Sequence, residues 1–242
     1  MKAQLQRITR EIPHRGVAYL IIRRCPAQEL GLLLAREVRT LAEQGAREIY
    51  VASTDPEAPL TEGVMGAVHF THIHDMLDME RDLAFDRPRP QGRLRAEPLT
   101  EVLGERWLAL YNEAFADVPN AATYGPEELS EQLARLGSCG LALEGERPVG
   151  IYELDLQAGE IEGIGLEKAA RGRGLGRELL LLAMDLLAEQ GCARCWLQVS
   201  TANPAAYQLY LETGFSTQQT RSRWFRAEMA GKKDRDAEED GI

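Results

Sequence analysis

Apolar positions along this chain recur at two different periods, and the alternation between them sets out its elements. Residues 16–24 (GVAYLIIRR) form an unbroken β-rich apolar run that predicts a strand. Residues 26–46 carry leucines and alanines at helical spacing and close at Gly45, which predicts a helix. Residues 48–53 (EIYVAS) predict a second strand, and residues 68–83 alternate over enough of their length to predict one long strand. Arg87-Pro88-Arg89-Pro90-Gln91-Gly92 then interrupts every period, so a domain boundary is placed at 87–92.

Beyond it, residues 93–96 predict a short strand and 99–116 an amphipathic helix offering Trp107, Leu110 and Tyr111 to a core. Residues 126–136 predict a second helix with its acids in the first turn, where they suit the helix dipole. Three strands follow, at 140–144, 149–156 and 160–166, the first two joined through the hairpin signal Gly145-Glu146-Arg147-Pro148. A helix at 174–190, a strand at 193–200, a helix at 204–213 and one or two strands within 215–227 complete a mixed α/β order.

An internal repeat runs beneath this pattern. Leu41-Ala42-Glu43-Gln44-Gly45 returns as Leu187-Ala188-Glu189-Gln190-Gly191, and each copy leads into a strand and then Ser-Thr, at Ser53-Thr54 and Ser200-Thr201. The register slips by one residue, so the expectation is a tandem duplication with a shortened first copy. The domains expected are 1–86, a linker at 87–92, a second domain at 93–228 and a disordered acidic tail at 229–242.

Composition narrows the classes. At 242 residues, 44% apolar and 27% charged, the chain suits two soluble domains. No apolar run approaches the roughly 20 residues of a membrane helix, and the start MKAQLQRITREIPHRG lacks a signal-peptide core, so a cytoplasmic protein with no membrane partner is expected. A net charge of −10 argues against nucleic acid as a partner. Four cysteines are too few for a disulfide scaffold. Cys192-Ala193-Arg194-Cys195 follows a helix end rather than opening a helix, and no second ligand pair accompanies it, so Cys192 and Cys195 read as structural. His69, His72, His74 and Asp75 invite a metal reading, since alternation puts His72 and His74 on one face. Exposed strand histidines are preferred, and no metal is expected.

The chemistry concentrates at Arg171-Gly172-Arg173-Gly174-Leu175-Gly176-Arg177. Alternate glycines opening a helix let backbone N–H groups approach a pyrophosphate, with the helix dipole behind them and Arg171, Arg173 and Arg177 adding charge at the rim. The pattern is not the dinucleotide G-x-G-x-x-G in register, no parallel βαβ unit is read leading into it, and no Walker motif is present.

With these residues the chain resembles the GNAT superfamily of N-acetyltransferases, whose loop [Q/R]-x-x-G-x-[G/A] is matched by Arg171 to Gly176. A second family pattern, N-x-x-A-x-x-L-Y-x-x-x-G-F, is matched by Asn203, Ala206, Leu209, Tyr210, Gly214 and Phe215. The resemblance covers about residues 93–227. It implies the GNAT (acyl-CoA N-acyltransferase) fold, α/β with a mixed, mostly antiparallel sheet flanked by helices, here preceded by a partial GNAT-like domain. The strand before the loop and the strand before Asn203 would part to admit acetyl-CoA as co-substrate. The resemblance further implies that Ile164, Gly165 and Leu166 offer backbone groups to the pantetheine, that Asn203 lies near the same arm while capping its helix, and that Tyr210 protonates the departing thiolate. A carboxylate on the strand before the loop is the implied base, Glu162 ahead of Glu160. Alternation puts both on one face together with Ile164 and Leu166.

Aligning the two copies sets residues 25–31 opposite 171–177, so Gln28 and Leu30 stand where Gly174 and Gly176 would cradle phosphate; residues 1–86 are expected to bind no CoA. The two-copy layout is similar to that of mycothiol synthases, two-domain members of the superfamily. A small-molecule primary amine is the expected acceptor, and the resemblance implies that residues 117–122 shape its pocket. A protein N-terminus and a non-catalytic acyl-CoA-binding role are the alternatives, and the oligomeric state is left open.

Overall fold

The computed structural model describes residues 3–84, 89–118 and 120–230. Part of the expected linker and the acidic tail from residue 231 lie outside them. In chain order the elements begin with β1 (Gln4–Ile8), α1 (Ile12–Arg15), β2 (Val17–Arg24), α2 (Ala27–Glu43), β3 (Glu48–Ser53), β4 (Gly63–Met65) and β5 (Val68–Asp82). They continue with β6 (Arg95–Pro98), α3 (Gly104–Phe115), α4 (Pro126–Ala134), β7 (Cys139–Glu144), β8 (Arg147–Asp155), β9 (Glu160–Leu166), α5 (Leu175–Glu189), β10 (Arg194–Ser200), α6 (Pro204–Glu212) and β11 (Ser216–Met229). One strand, β11, occupies the stretch read as one or two. The short β1, α1 and β4 were not foreseen, because 3–5 residues carry too few periods to register.

Two compact units divide the chain: Met1–Met76 with Thr220–Ile242, and Leu77–Gln219. The division falls inside β5 and β11 rather than at the punctuation of 87–92. Each of these long strands lends one end to each unit, a tertiary arrangement that local composition does not register.

In the first unit β2 lies parallel to β3 along six residue pairs, Val17↔Glu48 to Ile22↔Ser53, with α2 as the crossover. Both faces of β2 are covered, which explains its unbroken apolar run. Ala18, Leu20 and Ile22 pack with Leu30, Leu34, Val38 and Leu41 of α2, while Val17 and Tyr19 join Ala52 and Trp224. Burying a leucine such as Leu34 completely is worth about 1.5–3 kcal/mol.

In the second unit the strand order is β5-β10-β9-β8-β7-β6. From β6 to β9 neighbours are antiparallel, and β10 lies parallel to β9 across α5. That parallel crossover into and out of the glycine loop was not anticipated. Alternation along β8 supplies both faces. Ile151 packs with Trp107, Leu110 and Tyr111 of α3, and Tyr152 with Leu180, Ala183 and Met184 of α5. The result is a mixed sheet flanked by helices, as expected. No helix among the described residues is long and apolar enough to cross a membrane.

Candidate active site

The site begins with a ladder that stops early. β9 and β10 pair through only Trp196↔Glu160 and Leu197↔Ile161, after which β9 continues to Leu166 and β10 to Ser200. A parallel crossover normally stays zipped, as β2 and β3 do over six pairs. Here the backbone groups of Ile164, Gly165 and Leu166 line an opening between two strands.

The glycine loop stands at the open end of β9. Gly172 and Gly174 have φ of 73° and 78°, in the left-handed region that side chains other than glycine enter at a cost. Gly174 is the residue before α5, so the first N–H groups of that helix, which have no acceptor within it, emerge directly from the loop. Gly176 differs. It is helical, and a Cβ there would meet Leu209 Cδ2 at an ordinary 3.7 Å. The arginines are not equivalent either. Arg171 turns inward, donating from Nε to Leu166 O (3.2 Å) and from Nη2 to Ala114 O (3.1 Å). Arg173 grips both oxygens of Glu144 at 2.8 and 2.9 Å, and its carbonyl accepts from Arg93 Nη1 at 3.1 Å. The buried Glu178 of α5 receives the N–H groups of Gln91 and Arg93, both at 2.9 Å. Thus Arg171 and Arg173 hold the loop in place, and Arg177 is exposed.

Tyr210 lies on α6, which starts from Asn203; the Asn203 Oδ1 accepts from Ala206 N at 3.2 Å, the capping role its position suggests. The Tyr210 ring is buried, 5.8 Å from that of Phe215. Burial, with a smaller contribution from Cys195, pushes its phenol up to about 12, so it keeps its proton at neutral pH. Leu209, its neighbour in sequence, packs over Gly176, which brings α6 and the loop together.

The carboxylates sit where β9 departs from regular pleating. Opposite β8 the register jumps from Glu153↔Gly163 to Leu154↔Ile161, leaving Glu162 as the extra residue of a β-bulge. The bulge breaks the expected common face. Ile161 and Ile164 both pack toward α5, while Glu162 turns to the other side and pairs with Arg135 at the end of α4. Glu160 stays in the zipped part of the ladder, opposite Trp196. Arg135 also lies 3.7 Å from Glu153 of β8, a residue the sequence reading passed over. Glu153 is 4% exposed, and its Oε1 accepts from Gln132 Nε2 (2.6 Å) and Tyr124 Oη (3.2 Å). Burial first, and the Glu162 charge second, push its carboxyl up to about 7. Its sequence neighbours Tyr152 and Leu154 are 1% and 0% exposed, but no residue pattern marks the glutamate itself.

Cys195 belongs to the same apolar cluster as Tyr210. Cys195 is buried and its thiol is pushed up to about 12; Cys192 donates to Leu156 O at 3.3 Å. Both are free thiols. In the first unit, His72 packs against Phe225 and bonds Asp75 at 2.8 Å, while His74 is buried rather than exposed, because it stacks on Trp224. Phe225 and Trp224 belong to different apolar clusters, so His72 and His74 do not share the face that alternation gives them. His69 lies opposite Val64 on β4. Among the described residues no three His, Cys, Asp or Glu side chains are grouped to hold a metal.

Residues 104–215 match the model of the acetyltransferase (GNAT) family. Mycothiol acetyltransferase of Streptomyces scabiei is 29% identical over 203 residues, which cover 80% of this chain and 54% of that protein. The mycothiol acetyltransferase of Thermobispora bispora is 30% identical over 178 residues, covering 66% and 60%. The chain therefore spans between about half and three-fifths of the curated relatives it matches. Among solved structures, a GCN5-related N-acetyltransferase from Sphaerobacter thermophilus superposes with a TM-score of 0.65 at 18% identity, over 95% of this chain and 77% of that one. A tandem GNAT protein from the clavulanic acid biosynthesis pathway gives 0.53 at 13% identity, over 90% and 76%. At these identities the likeness is one of fold.

Proposed function

Residues 104–215 are a GNAT acetyltransferase domain, and from that premise we propose that the chain transfers the acetyl group of acetyl-CoA to a primary amine of a small molecule. The observation that carries this is the two-pair ladder of β9 and β10 opening beside the glycine loop. The opening offers a strand edge to an extended amide-bearing arm, and the loop offers N–H groups to a pyrophosphate. Both halves of a CoA molecule thus find chemistry suited to them. When bound, it supplies a thioester, an acetyl group already activated for attack.

In this reading the N–H groups of Gly172, Arg173, Gly174, Leu175 and Gly176 hold the pyrophosphate. Arg171 fixes the loop from behind, and Arg177 adds charge. Ile164, Gly165, Leu166 and Asn203 hold the pantetheine. Tyr210, protonated at neutral pH, gives its proton to the leaving sulfur. A carboxylate at the opening deprotonates the amine, Glu162 and Glu160 being the two that the family pattern nominates. Transfer is direct, so neither Cys192 nor Cys195 serves as a nucleophile. The name of the curated relatives, mycothiol acetyltransferase, supports a small-molecule acceptor.

The first unit is read as a shortened copy that binds no CoA. In support, its β2 and β3 stay zipped over six pairs where β9 and β10 part, and α2 starts from Pro26 without a left-handed glycine.

Thermal unfolding with and without acetyl-CoA, followed by an amine panel scored for released thiol, tests the proposal. At a ligand concentration 100 times Kd the stabilisation is ~2.7 kcal/mol, a shift of several degrees. No shift, or a shift without thiol release on any amine, overturns the catalytic reading.

A further inference from the structure

On the side of the second unit's sheet that carries α3 and α4, a polar cluster lies at the point where β9 leaves β10. Glu153 is its centre. Gln132 and Tyr124 both bond Oε1, and Oε2 turns toward Gly163, where an added Cβ would stand 3.4 Å from it. Gly163 follows the bulged Glu162 and lies two residues past Ile161, the last zipped position. Oε2 therefore faces β9 just past its last zipped pair, beside the ring of Phe115. Glu162 reaches the same region but is engaged by Arg135, and Glu160 lies on the closed side.

We propose that Glu153 is the catalytic base of this site, its Oε2 taking the proton of the acceptor ammonium, while Arg135 and Glu162 set its charge and Tyr124 and Gln132 its orientation. This rests on the amine-acetyltransferase reading and replaces the base that the family pattern nominates.

Chemistry and placement agree. A carboxylate buried to this degree costs stability, and glutamine would fill the same space and keep the same two acceptor bonds. The ionisable groups that face Glu153 are Arg135, Glu162, Tyr124 and its β7 partner Cys139, whose thiol bonds Gln132 Oε1 at 3.0 Å. Tyr124 and Cys139 are both pushed up to about 12, chiefly by burial, so they stay neutral while Glu153 titrates. A carboxyl that changes charge near neutrality is matched to accepting a proton in one step and releasing it in the next. The transfer balances. One ammonium proton passes to Glu153, the freed nitrogen lone pair bonds the acetyl carbon, and the carbon–sulfur bond breaks. Sulfur takes the phenolic proton of Tyr210. The second proton shed by nitrogen restores that phenol through water, and Glu153 returns its own to solvent.

The test is the pH dependence of kcat/KM for the acceptor, measured on the full chain with Glu153→Gln, Glu162→Gln and Tyr124→Phe. The wild-type profile rises through a limb near pH 7. Glu153→Gln removes the limb and lowers kcat/KM by roughly 100-fold or more, with the acetyl-CoA thermal shift unchanged. Glu162→Gln keeps the limb but moves it to lower pH, because a like charge is gone and Arg135 is freed. Tyr124→Phe moves it to higher pH, because a hydrogen bond to the carboxylate is lost, and it serves as the check should Glu153→Gln fail to fold. A limb that survives in Glu153→Gln, disappears in Glu162→Gln, or stays fixed in Tyr124→Phe overturns the assignment. A chain that turns over no amine overturns the acetyltransferase reading itself, and Glu153 as base with it; turnover with the wrong pH response removes Glu153 alone.

Discussion

Burial raises two ionisable side chains, the Tyr210 phenol and the Glu153 carboxyl, for the same physical reason, yet the sequence exposes only one of them. Tyr210 stands in a spaced pattern with Asn203 and Phe215, so position within the pattern identifies it. Glu153 shares a face of β8 with Ile151, and a lone glutamate on an alternating strand reads as solvent-facing; α3 and α4 bury that face, which no local pattern states. Tyr210→Phe should lower kcat by roughly 100-fold while acetyl-CoA still raises the melting temperature. Full activity in that variant would remove Tyr210 as the acid.

The stability consequence of Glu153 has a definite sign. Its carboxyl is raised from 4.5 to about 7, so the folded state holds a proton that the unfolded chain has already lost. The contribution is fully present below the unfolded value, and stability falls as pH rises from there to about 7, by ~3 kcal/mol in all. Glu153→Gln should flatten that slope and be more stable than the parent at pH 8. Urea unfolding at pH 5 and pH 8 measures it, and parallel slopes in the two proteins would contradict the burial argument.

At the scale of elements, the loop shows how far a motif reaches. Its three glycines look alike in sequence, but Gly172 and Gly174 are left-handed while Gly176 is an ordinary helical residue. Gly174→Ala should cost about 1–2 kcal/mol and weaken acetyl-CoA binding. Gly176→Ala should hold or raise the melting temperature, since alanine favours a helix interior over glycine by up to ~1 kcal/mol. Calorimetry on the pair decides it, and equal losses would mean that crowding rather than φ governs both. The β9 bulge was illegible for a related reason. A one-residue insertion resets the faces of everything beyond it, so Glu162 parts from Ile164 and Leu166 without any change in composition.

At the scale of the molecule, two parallel crossovers differ in how long their strands stay paired. β2 and β3 remain zipped for six pairs and β9 and β10 for two, so of these two crossovers it is the second unit's that leaves room between its strands. Hydrogen exchange with acetyl-CoA added should therefore protect residues 164–176 and leave β2, α2 and β3 unchanged. Protection in the first unit would overturn its reading as a copy without a CoA site.

The sequence by itself determined the longer elements, the glycine loop, the Asn203–Phe215 pattern and the repeat, because each is a matter of residue type at short spacing. Tertiary structure decided that β5 and β11 each serve two units, that β9 bulges at Glu162, that Arg171 turns inward, and that Glu153 is covered. These depend on which surfaces meet across long separations along the chain. Burial and strand register, the quantities that set a buried carboxyl near neutrality and open a ladder after two pairs, exist only once those surfaces have met.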